Sequence, residues 1–309
     1  MTEVELGEAV PLAHALVASV AVEQDVRVLF IKGPAAVLQD LRVPRLSVDV
    51  DAWVDPGRRE RLAARLTELG WVDERPYTSP TVLPLHSLTH RHPSWACELD
   101  LHDRFPGFFA DPQEVFERLW ERRVTVQVAG REIDCPDPAA HALVLALHSL
   151  RDPDDVGKVA DLTALVDRIR DRYDEAALRD LAELAHALGA ADTAAPYLDR
   201  LGAPEVGRGT LQGADLRAWE MRTGSDSSVA GWLDELRRRP KRQWPRFLWY
   251  AAVLSEEELR LDDPSLPAGR RAVAKARLRR LRRGLRSAPK AWRSIRAAGR
   301  PDPPAGPRA

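Results

Sequence analysis

Asp49 and Asp51 lie two residues apart in residues 45–54 (RLSVDVDAWV). On a strand that spacing puts both carboxylates on one face and Val48, Val50 and Ala52 on the other. Residues 98–102 (ELDLH) repeat the pattern, with Asp100 and His102 sharing a face. A strand facing the core has no reason to bury paired carboxylates unless positive charge lies between them. Mg²⁺ takes oxygen ligands and commonly bridges one or two carboxylates to the phosphates of a substrate. The expected chemistry is metal-assisted reaction at a nucleotide or another phosphorylated ligand.

These residues need a sheet to carry them. Residues 3–23 read as an amphipathic helix, and 26–31 as a short apolar strand broken by Lys32-Gly33-Pro34. Pro34 suits the first turn of a helix running to about residue 41. Residues 47–54 form the Asp-bearing strand, followed by a helix over 57–70 and strands at 71–75, 81–89 and 95–102. A short helix at 113–121 and a hairpin, 124–128 with 132–135, come next. From residue 138 onward the periodicity is helical, with segments near 138–150, 154–171, 174–188, 191–201, 213–222, 229–239 and 242–253. We therefore expect an α+β chain in three parts: an α/β catalytic domain over 1–136, a helical domain over 137–265, and a basic segment over 266–309.

The chain has 309 residues, 44% of them hydrophobic, enough for about two domains. No run approaches the roughly 18 uninterrupted apolar residues of a membrane span, and the acidic start has no secretory pattern. Cys97 and Cys135 are too few for a disulfide framework or a cysteine zinc site, and a cytoplasmic location is expected. An Arg- and Ala-rich composition points to a GC-rich bacterial source.

The net charge of −1 hides an asymmetry. Residues 270–309 hold 14 Lys and Arg against one acid, Asp302, and the remainder holds 32 basic and 46 acidic residues. Ala274, Leu278, Leu281 and Leu285 form a stripe on a helix over about 268–286, the pattern of a packed helix. The arginines around it suit an anionic partner for the 270–300 segment. The proline-rich last ten residues are expected to be disordered.

Residues 30–36 (FIKGPAA), Arg45 with Asp49 and Asp51, and Leu99-Asp100-Leu101-His102 occur in that order on a strand–turn–helix, a second strand and a later strand. This resembles the DNA polymerase β-like nucleotidyltransferase superfamily. More narrowly it resembles an uncharacterised bacterial nucleotidyltransferase-like family whose signature opens on Lys-Gly rather than Gly-Ser. His148, Lys158 and Asp161 match the helical segment that follows the catalytic domain there. The resemblance implies a mixed sheet flanked by helices, and Mg²⁺ or Mn²⁺ held by Asp49, Asp51 and Asp100 as the catalytic carboxylates. It further implies an NTP donor, ATP first among the four, and transfer of its nucleoside monophosphate to an unidentified acceptor: a small molecule, peptide or macromolecule.

On this reading Gly33 lets the backbone approach a phosphate, with free N–H groups at the following helix. Lys32, Arg45 and Lys158 add charge for the nucleotide, while His102 and Asp161 support the acceptor or the site. The Lys-Gly-Pro turn departs from Gly-Ser by losing the hydroxyl, and Pro34 removes one N–H donor. The alternative is a catalytically idle nucleotidyltransferase scaffold whose basic tail binds an anionic partner. A weaker one is an Asp-x-Asp glycosyltransferase, for which the 48 residues before the motif are short. His86, His90 and His92 lack the Cys or carboxylate companions of a zinc site. His141 and His148 share a helix face suited to packing against the catalytic domain.

Overall fold

A computed structural model describes residues 4–73, 87–213, 241–244 and 269–297, with 215, 219, 223, 236 and 259 as isolated positions. The chain divides into two compact units: Met1–Arg75 with Leu85–Asp215, and Pro76–Pro84 with Leu216–Ala309. The change from strands to helices near residue 136 falls inside the first.

That unit is built on a mixed five-stranded sheet in the order β1-β2-β5-β4-β3. Its strands are β1 (Val28–Ile31), β2 (Asp49–Val54), β3 (Val72–Asp73), β4 (Ser87–Arg91) and β5 (Glu98–His102). β2 and β5 run parallel, and the other neighbouring pairs are antiparallel. A separate hairpin joins β6 (Arg123–Val128) to β7 (Arg131–Pro136). This is the mixed sheet with flanking helices that the sequence predicts. β4 covers residues 87–89 of the strand expected at 81–89 and runs on to Arg91; residues 81–86 lie outside the described residues.

The core explains why β2 sits centrally. Val50, Ala52, Trp53 and Val54 are fully buried, so both faces of this strand are covered. α1 (Leu6–Glu23) lays Ala9, Ala13 and Val17 into that core, together with Leu62 and Leu66 of α3 (Arg59–Glu68) and Leu99 and Leu101 of β5. Each such large aliphatic side chain contributes about 1.5–3 kcal/mol by leaving water. By length and composition α1 would also suffice to cross a membrane, but its apolar face here is the inner layer of this core. α2 (Gly33–Leu38) is a single short helix after β1.

The following helices start where aspartates cap them. Asp111 accepts from Gln113 and Glu114 N–H at the head of α4 (Pro112–Glu121), and Asp137 from Ala140 N–H at α5 (Pro138–Leu150). Asp155 and Asp174 do the same for α6 (Val156–Arg170) and α7 (Glu175–Ala187). A cap of this kind is worth about 1 kcal/mol. Pro112 and Pro138 occupy first-turn positions, where no intrahelical N–H bond is lost. α8 (Ala195–Leu201) ends on Gly202 with φ +73°, a left-handed conformation that glycine adopts without strain.

In the second unit a long helix, α9 (Arg270–Ala297), packs Val273 against Leu259, with Ala272 and Ala276 beside them. Leu278 and Leu281 of the predicted stripe are 46% and 44% exposed. The helix extends beyond the expected end at 286. The helices predicted at 213–222, 229–239 and 242–253, and the proline-rich end, fall almost wholly outside the described residues.

Candidate active site

The site forms where β2 and β5 lie side by side. Their register pairs Asp49 with Glu98, Asp51 with Asp100 and Trp53 with His102. Asp51 is only 3% exposed, and a buried carboxylate of that kind demands partners. It has two on the same oxygen: Lys32 Nζ at 2.5 Å and His102 Nε2 at 2.8 Å from Oδ1. On the neighbouring strand Thr89 donates its hydroxyl to Asp100 Oδ1 at 2.5 Å, the outcome of the direct β4–β5 pairing of those residues.

Burial by itself would raise the Asp51 carboxyl; the Lys32 charge and the His102 bond outweigh it and hold it well below the ordinary carboxylate range. Asp49 fares differently. Burial, then the charges of Asp51 and Asp100, push it up to about 6, with Lys32 pulling the other way. Three carboxylates therefore meet with too little positive charge to satisfy them all.

Lys32 reaches Asp51 from an unusual backbone. Its φ is +62° and that of Gly33 is +43°, left-handed values that glycine tolerates and lysine adopts only when its surroundings impose them. The constraint is visible: Lys32 N–H donates to His141 Nε2 at 2.7 Å. With Nε2 accepting, His141 carries its proton on Nδ1 and donates to Gln39 Oε1 at 2.8 Å. Gln39 Nε2 in turn donates to Pro136 O at 2.7 Å. A helix of the later part of the unit thus clamps the turn of the earlier part. The Lys32 N–H is committed to that clamp and Pro34 has none, so of the predicted phosphate cradle two donors are missing.

A cationic side faces the acids. Arg151, at the end of α5, donates to His148 Nδ1 at 2.7 Å. Its guanidinium carbon lies 5.2 Å from the Phe105 ring centre, and Lys32 Nζ lies 5.8 Å from the same ring, both within cation–π range. Burial, then the charges of Lys32, Arg151 and Lys158, push His148 down to about 2 despite Asp51. That coupling puts Lys32, Arg151, Lys158 and Asp51 within electrostatic reach of one imidazole. Sequence reading missed Arg151 and Phe105: an arginine after a helix and a phenylalanine in a loop carry no local signal of a site.

The remaining predicted residues are placed as follows. Arg45 Nη1 lies 2.9 Å from Asp161 Oδ2, and Arg42 contacts the same oxygen at 3.4 Å. Lys158 Nζ lies 3.2 Å from Asp152. Arg45 and Asp161 are thus joined to each other rather than to the carboxylate cluster. His90 Nδ1 donates to Leu88 O, and His92 packs on Trp71.

Among the described residues, Asp51, Asp100 and His102 are the group able to share a metal ion, with ligand atoms all within 4.8 Å of one another. Two carboxylates suit Mg²⁺ or Mn²⁺, leaving His102 to orient Asp51 from the side. The ammonium already drawn onto Asp51 Oδ1 shows that this spot accepts a cation, and the residues fit a divalent ion.

The mixed sheet flanked by helices, with paired acids on neighbouring parallel strands, is the fold of a nucleotidyltransferase-like protein, as the family match shows. Residues 15–201 match the profile described as uncharacterised nucleotidyltransferase, and the chain belongs to that enzyme family. A crystal structure of the lincosamide antibiotic adenylyltransferase LnuA with lincomycin bound is similar over 50% of this chain and 94% of that one, at 16% identity and TM-score 0.35. An antigenic nucleotidyltransferase-like protein from Paracoccidioides brasiliensis is similar over 63% of this chain and 93% of that one, at 16% identity and TM-score 0.39. A tRNA nucleotidyltransferase complexed with primer tRNA and an incoming ATP analogue aligns over 91% of this chain and 98% of that one, at 14% identity and TM-score 0.26. None of these likenesses assigns a substrate. A comparison with curated proteins finds no match. The family membership leaves the glycosyltransferase reading without support.

Proposed function

We propose that the protein transfers the nucleoside monophosphate of an NTP, with ATP the first candidate, to an acceptor oxygen in the presence of Mg²⁺ or Mn²⁺. The observation that carries this reading is the meeting of Asp51, Asp100 and His102 beside Lys32, in a chain of nucleotidyltransferase family. Asp51 and Asp100 would hold the metal, with Asp49 adjoining. A divalent ion so held supplies charge neutralisation at the attacking and leaving oxygens.

The chain's own groups divide the remaining work. An acceptor oxygen bonds to the α-phosphorus while the bond from that phosphorus to the bridging oxygen of the β-phosphate breaks, and pyrophosphate leaves with the electron pair. Asp100, oriented by Thr89, takes the acceptor's proton. Lys32, Arg151 and Lys158 face the negative charge that collects on pyrophosphate, and guanidinium geometry suits Arg151 for two phosphate oxygens at once. His102 orients Asp51 and stands close enough to position the acceptor. Cys97 and Cys135 are buried free thiols, in keeping with a reducing, cytoplasmic setting.

Thermal unfolding with each of the four NTPs, with and without Mg²⁺, tests the reading. A ligand at about 100 times its dissociation constant adds roughly 2.7 kcal/mol. We expect a Mg²⁺-dependent rise with at least one NTP, absent in Asp51→Asn. No rise with any NTP would sink it.

One feature favours a second reading, an idle scaffold that binds a polyanion: the arginine-rich α9, which the proposed chemistry does not use. Binding of the full chain to polyanions that weakens steeply with salt, alongside no NTP response, would favour it.

A further inference from the structure

Lys32 Nζ and His102 Nε2 both sit on Oδ1 of Asp51, the buried carboxylate of the candidate metal group. The lysine side chain is 12% exposed and the carboxylate 3%, so the pair is shielded from solvent. A strained left-handed backbone at Lys32, held by the His141–Gln39–Pro136 chain of hydrogen bonds, aims the ammonium there. Backbone strain persists at a position only when the surrounding structure enforces it, and here its product is one contact: a unit positive charge on the carboxylate a divalent ion would need.

We infer that Lys32 is a built-in surrogate cation, which occupies Asp51 in the resting protein and must be released before a divalent ion can bind there. The inference rests on the nucleotidyltransferase reading above. Two consequences follow from charge alone. An ion arriving by itself meets an Asp51 already paired with an ammonium, and meets repulsion from that ammonium at close range. An ion arriving with a triphosphate brings anionic oxygens on which the released ammonium can pair. Metal and nucleotide then bind together with synergy, and the free protein does not hold the ion. Lys32 is in this sense a positioning residue that sets the order of loading. The Lys32 side chain also lies over Phe105 on the side where Arg151 stands, so a cationic neighbourhood for phosphates already adjoins it.

The alternative, that Lys32 only neutralises a buried carboxylate for stability, predicts no such coupling. The two are separated by direct Mn²⁺ binding to the full-length chain, measured by electron paramagnetic resonance of free Mn²⁺, with and without a non-cleavable ATP analogue carrying a methylene between the α- and β-phosphates. Wild type should bind Mn²⁺ weakly alone and at least about tenfold more tightly with the analogue. Lys32→Met removes the charge and keeps an unbranched side chain one atom shorter; it should bind Mn²⁺ alone at least about tenfold more tightly than wild type and gain less from the analogue. Lys32→Gln, less apolar, serves if the first variant folds poorly by circular dichroism. Lys32 variants that bind Mn²⁺ alone no more tightly than wild type, while wild type still binds it with the analogue, would overturn the surrogate and spare the enzymatic reading. Wild type that binds no Mn²⁺ under either condition would overturn both.

Discussion

Arg45 and Asp161 close an ion pair at 2.9 Å although 116 residues separate them. The pair ties the loop before β2 to α6, and Arg42 reinforces it. Arg45 is 46% exposed, so solvent screens much of the attraction. We expect Asp161→Ala to cost no more than about 1 kcal/mol of stability. A double-mutant cycle on Arg45 and Asp161, read from urea unfolding, should return a coupling of the same size; a coupling well above it would make the pair a structural bolt.

Asp51 and Asp49 should part company under mutation. Asp51→Asn strands the Lys32 ammonium in a buried place, which costs on the order of 3 kcal/mol. Asp49→Asn removes a desolvated charge repelled by two neighbours, and should leave stability at pH 8 equal or higher. Both should lower nucleotidyl transfer by about 100-fold or more, the scale of lost electrostatic stabilisation of a transition state. Equal destabilisation by the two changes would contradict the assignment of Lys32 to Asp51.

Buried imidazoles set the acid limit of the first unit. Burial holds His14 below its ordinary value, takes His141 to about 3 and, with nearby cations, His148 to about 2. Unfolded histidine titrates near 6.5, so the unfolded chain binds protons that the folded chain refuses. Their contribution is present above pH 6.5 and is lost as pH falls from there toward 3. His141 and His148 each add a slope of up to about 1.4 kcal/mol per pH unit in that window, and His14 acts in the same direction. Unfolding free energies measured from pH 7.5 to 4.5 should fall; a flat profile would mean these rings are protonated or solvated.

Arg151→Gln should raise KM for the NTP by at least about tenfold, the scale of a lost charge-assisted contact, and leave Mn²⁺ binding with pyrophosphate absent unchanged. Steady-state kinetics at saturating acceptor would reveal it. A fall in kcat with KM unmoved would place Arg151 at the reacting phosphorus instead.

Asp137 does two jobs, accepting from Ala140 N–H at the head of α5 and from Arg122 Nε at 2.9 Å. Asp137→Ala should therefore cost about 1–2 kcal/mol. Because α5 also carries His141, the clamp on the Lys32 turn should loosen, and hydrogen exchange at the Lys32 amide should quicken along with the loss.

The parts that local chemistry specifies were legible in the chain. The i, i+2 carboxylates and the apolar residues between them announce β2, because alternation along a strand is a property of the strand alone. The Lys-Gly-Pro break after residues 28–31 announces a turn into a helix, and the helices expected at 113–121 and 138–150 match α4 and α5 to within a residue. The hairpin at 123–136 could be read to within a residue or two. Less legible was the end of β4, which runs two residues past the expected 89 to Arg91.

What the sequence determined by itself was which residues could do chemistry: three carboxylates at strand spacing, a lysine at a turn, and a reserve of arginines. Only the tertiary structure decided which of them meet. The parallel placement of β2 beside β5 sets Asp51 against Asp100 and brings His102 onto its oxygen. The packing of α5 supplies His141 to bend Lys32 toward that oxygen and Arg151 to face it. Arg45 goes to Asp161 because α6 passes there. Spacing along a chain fixes the face a side chain takes, whereas its partner depends on strand order and helix packing, and those are settled by burial of the whole core at once.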